Sequence, residues 1–550
     1  MLISAALRLL RAVAMLLFGA GLIQHAIARF ELPTRLLNFT VAPQTAILTT
    51  CVLAATALAL VLPLVRRAPD RMTRVVAILG LVALVLVVPF TFLATNFGYV
   101  DFETVMMSMA DNRASDIVDV AVKDFAGPLA ETALTTLLLA GSGWWLMRRM
   151  PAFVPAMGAL ALFAIVTSQP SAALYRLIFP DPALKMVSGK DLVAPEIVAM
   201  PATKRNLVII YLESLERSYR DIPASADAFG PLAALEDRGF SARNLAQIHG
   251  THYSAAGLVA SQCGIPLLPR GLTDPKTFAS SKGLTQHGIS RFLPGVTCLG
   301  DLLSAQGYES AYVNGSDTEI FAIGNFLKDH GIGTVRGLKT EPEFANVEGT
   351  NTWGVPDTVL FDVGLQELDR LAARDAPFAL MLFTAATHGP GGYLDPGCEY
   401  TPPVKPRRAD SLMPATIYCT GKLIEKFLSD LAERGLADNT VVVLMSDHLA
   451  MPNTMASELN RLGEDRRNYF VVLNGAGQID GVRSDRPAIM PDIYPTIVES
   501  LGFKLKDGAG NLGRSLLSPG PTLSERLGHD IVNRALFGNP DLRRLVWTDM

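Results

Sequence analysis

The stretch NLVIIYLES, residues 206–214, decides how the second half of this chain is read. Its core is continuously apolar, rich in β-branched residues, and it ends on the carboxylate of Glu213. A short apolar run with polar flanks is the mark of a strand buried on both faces. Such strands belong to parallel sheets covered by helices on both sides, because only there does neither face of a strand meet water. Three more runs read the same way: PFALMLFTA (377–385), TVVVLMSDH (440–448) and NYFVVLNG (468–475). Helical patterns at 298–307, 356–373, 416–434 and 491–501 alternate with them. The expectation is an α/β domain with a mostly parallel sheet sandwiched by helices.

In open α/β sheets, functional residues collect at the carboxyl ends of the strands. Glu213 ends the first run, the run from 440 leads into Asp447 and His448, and the run from 377 leads into TAATHGPGGY, a glycine-rich loop with His388. The chain has only 8 His, so two at one predicted sheet edge are a concentration. Singly, each residue has a plainer reading as a surface carboxylate, a strand terminus or a solvated loop histidine. Together, oxygen donors and an imidazole suit one divalent metal ion, Mn, Zn or Mg.

A metal there needs a hydroxyl to activate. HGTHYSAAGLVASQCGIPL (249–267) supplies two, Thr251 and Ser254, ahead of a helix of small residues. Ser and Thr in such places are often helix caps. Ser254 stands at the predicted helix start, where free amides and the helix dipole favour an anion such as a phosphoryl group. Position therefore favours Ser254 as the nucleophile, with Thr251 in the preceding loop as runner-up.

The first third is different in kind. The chain of 550 residues is 49% hydrophobic and 18% charged, too apolar for an ordinary soluble protein. Five segments, Ala5 to Ile27, Ala46 to Val65, Val75 to Thr95, Pro128 to Met147 and Pro151 to Gln169, each approach the length that spans a bilayer. Arg8 and Arg11 at the start, Arg66, Arg67, Arg71 and Arg74 between spans two and three, and Arg148 and Arg149 between spans four and five all fall on one side of the membrane, which predicts a cytoplasmic N-terminus and an exported C-terminal domain. The first span reads as an anchor and not as a cleaved signal peptide. The domain plan is thus a membrane domain with five transmembrane helices (1–174), a connector (175–204), a catalytic domain (205–520) and a C-terminal tail (521–550). A net charge of −4 gives no reason to expect a nucleic-acid partner.

Cys51 lies in a predicted span, whereas Cys263, Cys298, Cys398 and Cys419 all lie in the exported part, where disulfides form. Of three possible connectivities, pairing of sequence neighbours is preferred: Cys263 with Cys298 and Cys398 with Cys419. Free buried thiols are the alternative. No CxxC pair points to a cysteine metal site.

NLVIIYLESLERSY, GTHYSAAGLVASQCGIPL, TAATHGPGGYLDPGC and VVVLMSDHLAMPNT, in this order behind five spans, resemble the alkaline phosphatase and sulfatase superfamily. Within it, the resemblance is to membrane-bound phosphoglycerol transferases that modify periplasmic glucans (membrane-derived oligosaccharides). Lipoteichoic acid synthases and phosphoethanolamine transferases share the plan. The resemblance implies Glu213, Asp447, His448 and the nucleophile's hydroxyl as metal ligands. It implies His388 as the imidazole that meets the transferred phosphoryl group, and Asp317, in NGSDTEIFAIGNFL, as a donor head-group contact. Relatives commonly use Thr where this chain has Ser254, which keeps Thr251 open.

The implied reaction moves phosphoglycerol from phosphatidylglycerol to a periplasmic glucan through a covalent enzyme intermediate, releasing diacylglycerol. The implied location is the bacterial inner membrane with a periplasmic catalytic domain. A phosphoethanolamine transferase, a lipoteichoic-acid-type polymerase and a hydrolase are the enzymatic rivals, although no C-x-P-x-R stretch of the sulfatase nucleophile occurs. A non-catalytic glucan-binding membrane protein is the rival of another class. Residue types fix neither the oligomeric state nor the native metal.

Overall fold

A computed structural model describes residues 178–268, 291–398 except Thr352, and 412–548, together with helical residues scattered between 71 and 154. The five predicted spans lie outside the described residues apart from helical pieces such as 77–82 and 140–149. Among the described residues, no helix is long and apolar enough to cross a membrane.

The chain divides into two compact units, the second of which begins its main run at Asp181. That unit is built on an eight-stranded sheet. In chain order its strands are β1 (Asn206–Leu212), β2 (Phe240–Ala242), β3 (Glu309–Asn314), β4 (Thr334–Arg336), β5 (Phe378–Phe383), β6 (Thr440–Ser446), β7 (Phe470–Leu473) and β8 (Arg483–Ser484). Their spatial order is β8-β2-β7-β6-β1-β5-β3-β4. β6, β1, β5, β3 and β4 run parallel, in registers such as Leu207 opposite Val441 and Ala379. β7 is antiparallel to both of its neighbours, a direction that its apolar pattern does not encode.

Every residue of β1 is buried, and the pleat divides them between two cores. Leu207, Ile209 and Tyr211 join one core, which includes helix α2 (Ser254–Cys263) and helix α6 (Ile493–Ser500). Val208, Ile210 and Leu212 join the other, with α1 (Gly230–Arg238), α4 (Asp357–Ala372) and α5 (Met413–Glu433). Fully burying each of these side chains contributes on the order of 1.5–3 kcal/mol. The result is a three-layer sandwich whose parallel strands all point their carboxyl ends to one edge.

The segments expected as connector and tail pack together. Three short helices, α7 (Leu523–Leu527), α8 (His529–Leu536) and α9 (Pro540–Val546), close the chain. The buried Asn539 donates from Nδ2 to the carbonyls of Leu184 and Val187, each at 3.1 Å. Arg526 and Arg534 pair with Asp191 and Asp181. Two disulfides add crosslinks. Cys263, the last residue of α2, is joined to Cys298, the N-cap of helix α3 (Leu299–Ala305), and Cys398 is joined to Cys419 on α5.

Candidate active site

Four loops at the carboxyl edge bring the predicted residues together. β1 delivers Glu213, β6 delivers Asp447 and His448, β5 leads to His388, and α2 begins at Ser254. Metal-ligating atoms of Glu213, Asp447 and His448 all lie within 4.8 Å of one another, and all three side chains are buried.

The geometry of this trio leaves bonding capacity unused. Asp447 Oδ1 accepts the amides of Ser214 at 2.9 Å and His448 at 2.8 Å. Its Oδ2 is buried, makes no hydrogen bond, and stands 3.1 Å from His448 Nε2, which makes none either. His448 Nδ1 lies 2.7 Å from the carbonyl of Leu449. A carbonyl only accepts, so Nδ1 carries the proton and Nε2 presents a lone pair. Burial lowers the pKa of the His448 imidazole, which keeps the ring neutral. Burial also pushes the Asp447 carboxyl well above its ordinary range, and the charge on Glu213 pushes the same way. Burial acts on Glu213 too, but the facing His388 and the Ser214 hydroxyl outweigh it and hold that carboxyl low. A lone pair facing a carboxylate oxygen in a buried space is unfavourable unless a proton or a metal cation lies between them. Two carboxylates and a neutral imidazole are the donor set for a divalent metal ion, and the residues present fit one.

Ser254 is the first residue of α2, and its Oγ donates to Glu213 Oε2 at 3.1 Å. Tyr253 at the N-cap supplies no capping side chain, so the first amides of the helix keep their partial positive charge for a ligand. The small residues of α2 have a packing reason. A Cβ on Gly257 would come within 1.8 Å of the Asp447 carbonyl oxygen, so only glycine lets the helix pass this close to the metal-donor loop.

Thr251 is placed otherwise. It is fully buried, and its hydroxyl donates to the Ile248 carbonyl at 2.8 Å while accepting the Ile248 amide at 3.2 Å. That local turn consumes the hydroxyl. Asp317 follows β3 on the same sheet edge, where its Oδ2 pairs with Lys339 at 2.5 Å and its Oδ1 accepts the Glu319 amide at 2.9 Å.

His388 turns its Nδ1 to the Gly389 carbonyl at 2.8 Å and its Nε2 toward Glu213 Oε1 at 3.9 Å. The preceding turn is stitched to β1. Thr384 Oγ1 accepts the Glu213 amide at 3.2 Å, and Thr387 donates to the Glu213 carbonyl.

Residues that sequence reasoning passed over complete the site. Ser214 sits at φ +50 and donates its hydroxyl to Glu213 Oε1 at 2.7 Å. The buried Glu216 binds Arg466 and takes the Ala450 amide at 2.8 Å, holding the loop after His448. Ser214 and Glu216 stood in the quoted run beside Glu213, and its LES-L-E pattern was the available signal.

The sequence profile of the family described as Sulfatase matches residues 205–503. Among curated proteins, the chain is similar to "Phosphoglycerol transferase I" of Citrobacter koseri, 35% identical over 355 residues, and of Salmonella typhi, 34% identical over 352 residues. Each alignment covers 63% of this chain and 43% of the relative, so the chain spans less than half the length of these relatives. Among solved structures, the lipoteichoic acid synthase LtaP from Listeria monocytogenes superposes with a TM-score of 0.48 at 15% identity, over 64% of this chain and 95% of that one.

Proposed function

Because this chain belongs to the sulfatase family, we propose that it is a metal-dependent phosphoglycerol transferase that moves the head group of phosphatidylglycerol onto a periplasmic glucan through a covalent intermediate on Ser254. One observation carries the reading. Ser254 opens a helix and donates a hydrogen bond from its hydroxyl to Glu213 at the edge of a metal-donor trio. The names of the similar curated proteins support phosphoglycerol as the group transferred.

In the first half-reaction Ser254 Oγ bonds to phosphorus, the phosphorus–oxygen bond to diacylglycerol breaks, and the proton lost by Ser254 ends on the diacylglycerol oxygen. A divalent ion held by Glu213, Asp447 and His448 would lower the pKa of a nearby hydroxyl and offset charge on the phosphoryl oxygens. The open amides at the start of α2 face the same charge. His388 Nε2 points into the cluster, and because Nδ1 holds its proton on the Gly389 carbonyl, Nε2 can take a proton and then, as an imidazolium, hydrogen-bond a phosphoryl oxygen or deliver that proton to the departing diacylglycerol oxygen. In the second half, a glucan hydroxyl bonds to phosphorus, the bond to Ser254 breaks, and the hydroxyl proton returns to Ser254. The predicted spans would hold the domain at the periplasmic face of the inner membrane, where the donor lipid resides.

The test is peptide mass spectrometry of the full-length protein after brief incubation with phosphatidylglycerol and, in parallel, phosphatidylethanolamine, without acceptor. A phosphoglycerol adduct on Ser254, absent from Ser254→Ala, is expected. The Ala variant should lose transfer by about 10³-fold or more while retaining its metal. An adduct on Thr251, or one formed from the ethanolamine lipid alone, would replace this reading.

A further inference from the structure

Five consecutive residues, Trp353 to Asp357, grip the turn that carries His388 at two points. At one end the Trp353 indole is stacked on the His388 imidazole, with ring centroids 3.6 Å apart and 14° between the planes. The indole Nε1–H donates to the Tyr393 hydroxyl at 3.1 Å, and the Tyr393 amide donates to the Ala386 carbonyl at 2.8 Å. The plate is thereby tied to the turn it covers. At the other end, the fully buried Asp357 accepts through Oδ1 the amides of Ala385 at 2.9 Å and Ala386 at 3.3 Å. Between the two, the chain is pinned to the end of β3. The Val355 amide donates to the Gly315 carbonyl at 3.1 Å, and Gly354, at φ +151, lies where a Cβ would come within 2.5 Å of that same oxygen.

We propose that Trp353 and Asp357 are positioning residues for phosphoryl transfer, the stacked indole and the two-amide grip together aiming His388 Nε2 into the metal-donor cluster. The inference rests on the role given to His388 above. Among the described residues the ring's own hydrogen bond is the one from Nδ1 to Gly389, and torsion about the Cβ–Cγ bond of a histidine is broad. A flat partner at stacking distance removes that freedom and adds ring–ring attraction. Asp357 acts one step further back. Its carboxylate sets the backbone of Ala385 and Ala386, and the His388 amide closes the same turn by donating to the Ala385 carbonyl at 3.2 Å.

The test is a double-mutant cycle in full-length protein reconstituted in phosphatidylglycerol vesicles, with diacylglycerol release as the readout. Trp353→Ala should lower kcat about 10- to 100-fold, the scale of an ångström-level misplacement, with KM for the lipid unchanged. Trp353→Phe, which keeps a flat ring, should recover most of the rate. In the His388→Ala background, Trp353→Ala should cost less than about 2-fold further, because a residue that acts through His388 has nothing left to position. Equal losses in both backgrounds, or a raised KM at unchanged kcat, would overturn the proposal, the second outcome meaning that the indole meets the lipid directly. If Trp353→Ala does not fold, Trp353→Leu against Trp353→Phe carries the same comparison. Full turnover by His388→Ala alone would instead remove the role assigned to that imidazole, so the two failures are told apart.

Discussion

His330 and His448 are both buried imidazoles beside an aspartate, and each belongs to a group of three side chains of metal-binding type. Around His330 every valence is used. Its Nδ1 meets Asp301 Oδ2 at 2.7 Å, its Nε2 meets the Phe292 carbonyl at 2.8 Å, and the neighbouring Cys263 and Cys298 are bonded to each other. Around His448 the bonding is incomplete, with Nε2 and Asp447 Oδ2 facing one another and making no hydrogen bond. A buried polar atom without a partner costs about 1–3 kcal/mol, and folding sustains that cost where another species completes the bonding. The inventory of side chains therefore does not separate a strut from a site. Saturation of their hydrogen bonds does.

The contrast breaks most visibly on metal content. His448→Ala should lose a bound divalent ion, measured by mass spectrometry of the metal in purified full-length protein, and about 10³-fold or more of transfer. His330→Gln should keep the ion. If both variants keep it, or both lose it, the distinction between the two groups is wrong.

Gly257→Ala probes the contact between the helix that begins at Ser254 and the Asp447 loop. Its Cβ would collide with the Asp447 carbonyl, so α2 must shift and carry Ser254 with it. A loss of about 10²-fold in kcat is expected, and an unchanged rate would mean that the helix start is not part of the machinery.

On the saturated side, replacing Cys263 and Cys298 together by Ser opens a loop of sequence separation 35. Unfolding in urea should show a loss of roughly 3–4 kcal/mol, with metal content unchanged.

The smallest effect, counted per pH unit, concerns Asp357. Burial pushes its carboxyl from 3.8 up to about 7, with Asp395 adding to the rise and the Ala385 amide opposing it. Between those values the folded chain holds a proton that the unfolded chain has released. The unfolded state then binds fewer protons, so this group's contribution is complete at acid pH and is lost as pH rises toward 7. Asn cannot titrate. The unfolding free energy of wild type minus that of Asp357→Asn should therefore decline across this window, at no more than ~1.4 kcal/mol per pH unit. A constant difference would place the titration elsewhere.

Much of this architecture was legible as pattern. The four apolar runs correspond to β1, β5, β6 and β7, and the four helical stretches to α3, α4, α5 and α6, within a few residues at each end. The strands that escaped notice are short or mixed. β3 reads ESAYVN and is nearly all buried, because β5 and β4 flank it and not because its residues are uniformly apolar. Periodicity reports which faces a segment hides, but it is silent on which neighbour hides them.

The same limit governs the site. Glu213, Asp447, His448, His388 and Ser254 could be picked out because strand ends and helix starts are local features. Their chemistry arises across the chain, as when the Ser214 amide reaches Asp447 over 233 residues. Thr251 and Ser254 are nearly equivalent as letters. One hydroxyl is spent on the Ile248 backbone and the other faces Glu213, a difference of side-chain direction that residue type does not carry.

What the sequence by itself determined is the set of buried strands, the helices that cover them and the edge at which acids and imidazoles accumulate, since hydrophobic period and strand polarity are written residue by residue. Only the tertiary structure decided that β7 runs antiparallel, that Trp353 lies on His388, and that His448 keeps an unused lone pair while His330 does not. Those properties depend on where distant backbone carbonyls and rings come to rest, and only a packed chain fixes those positions.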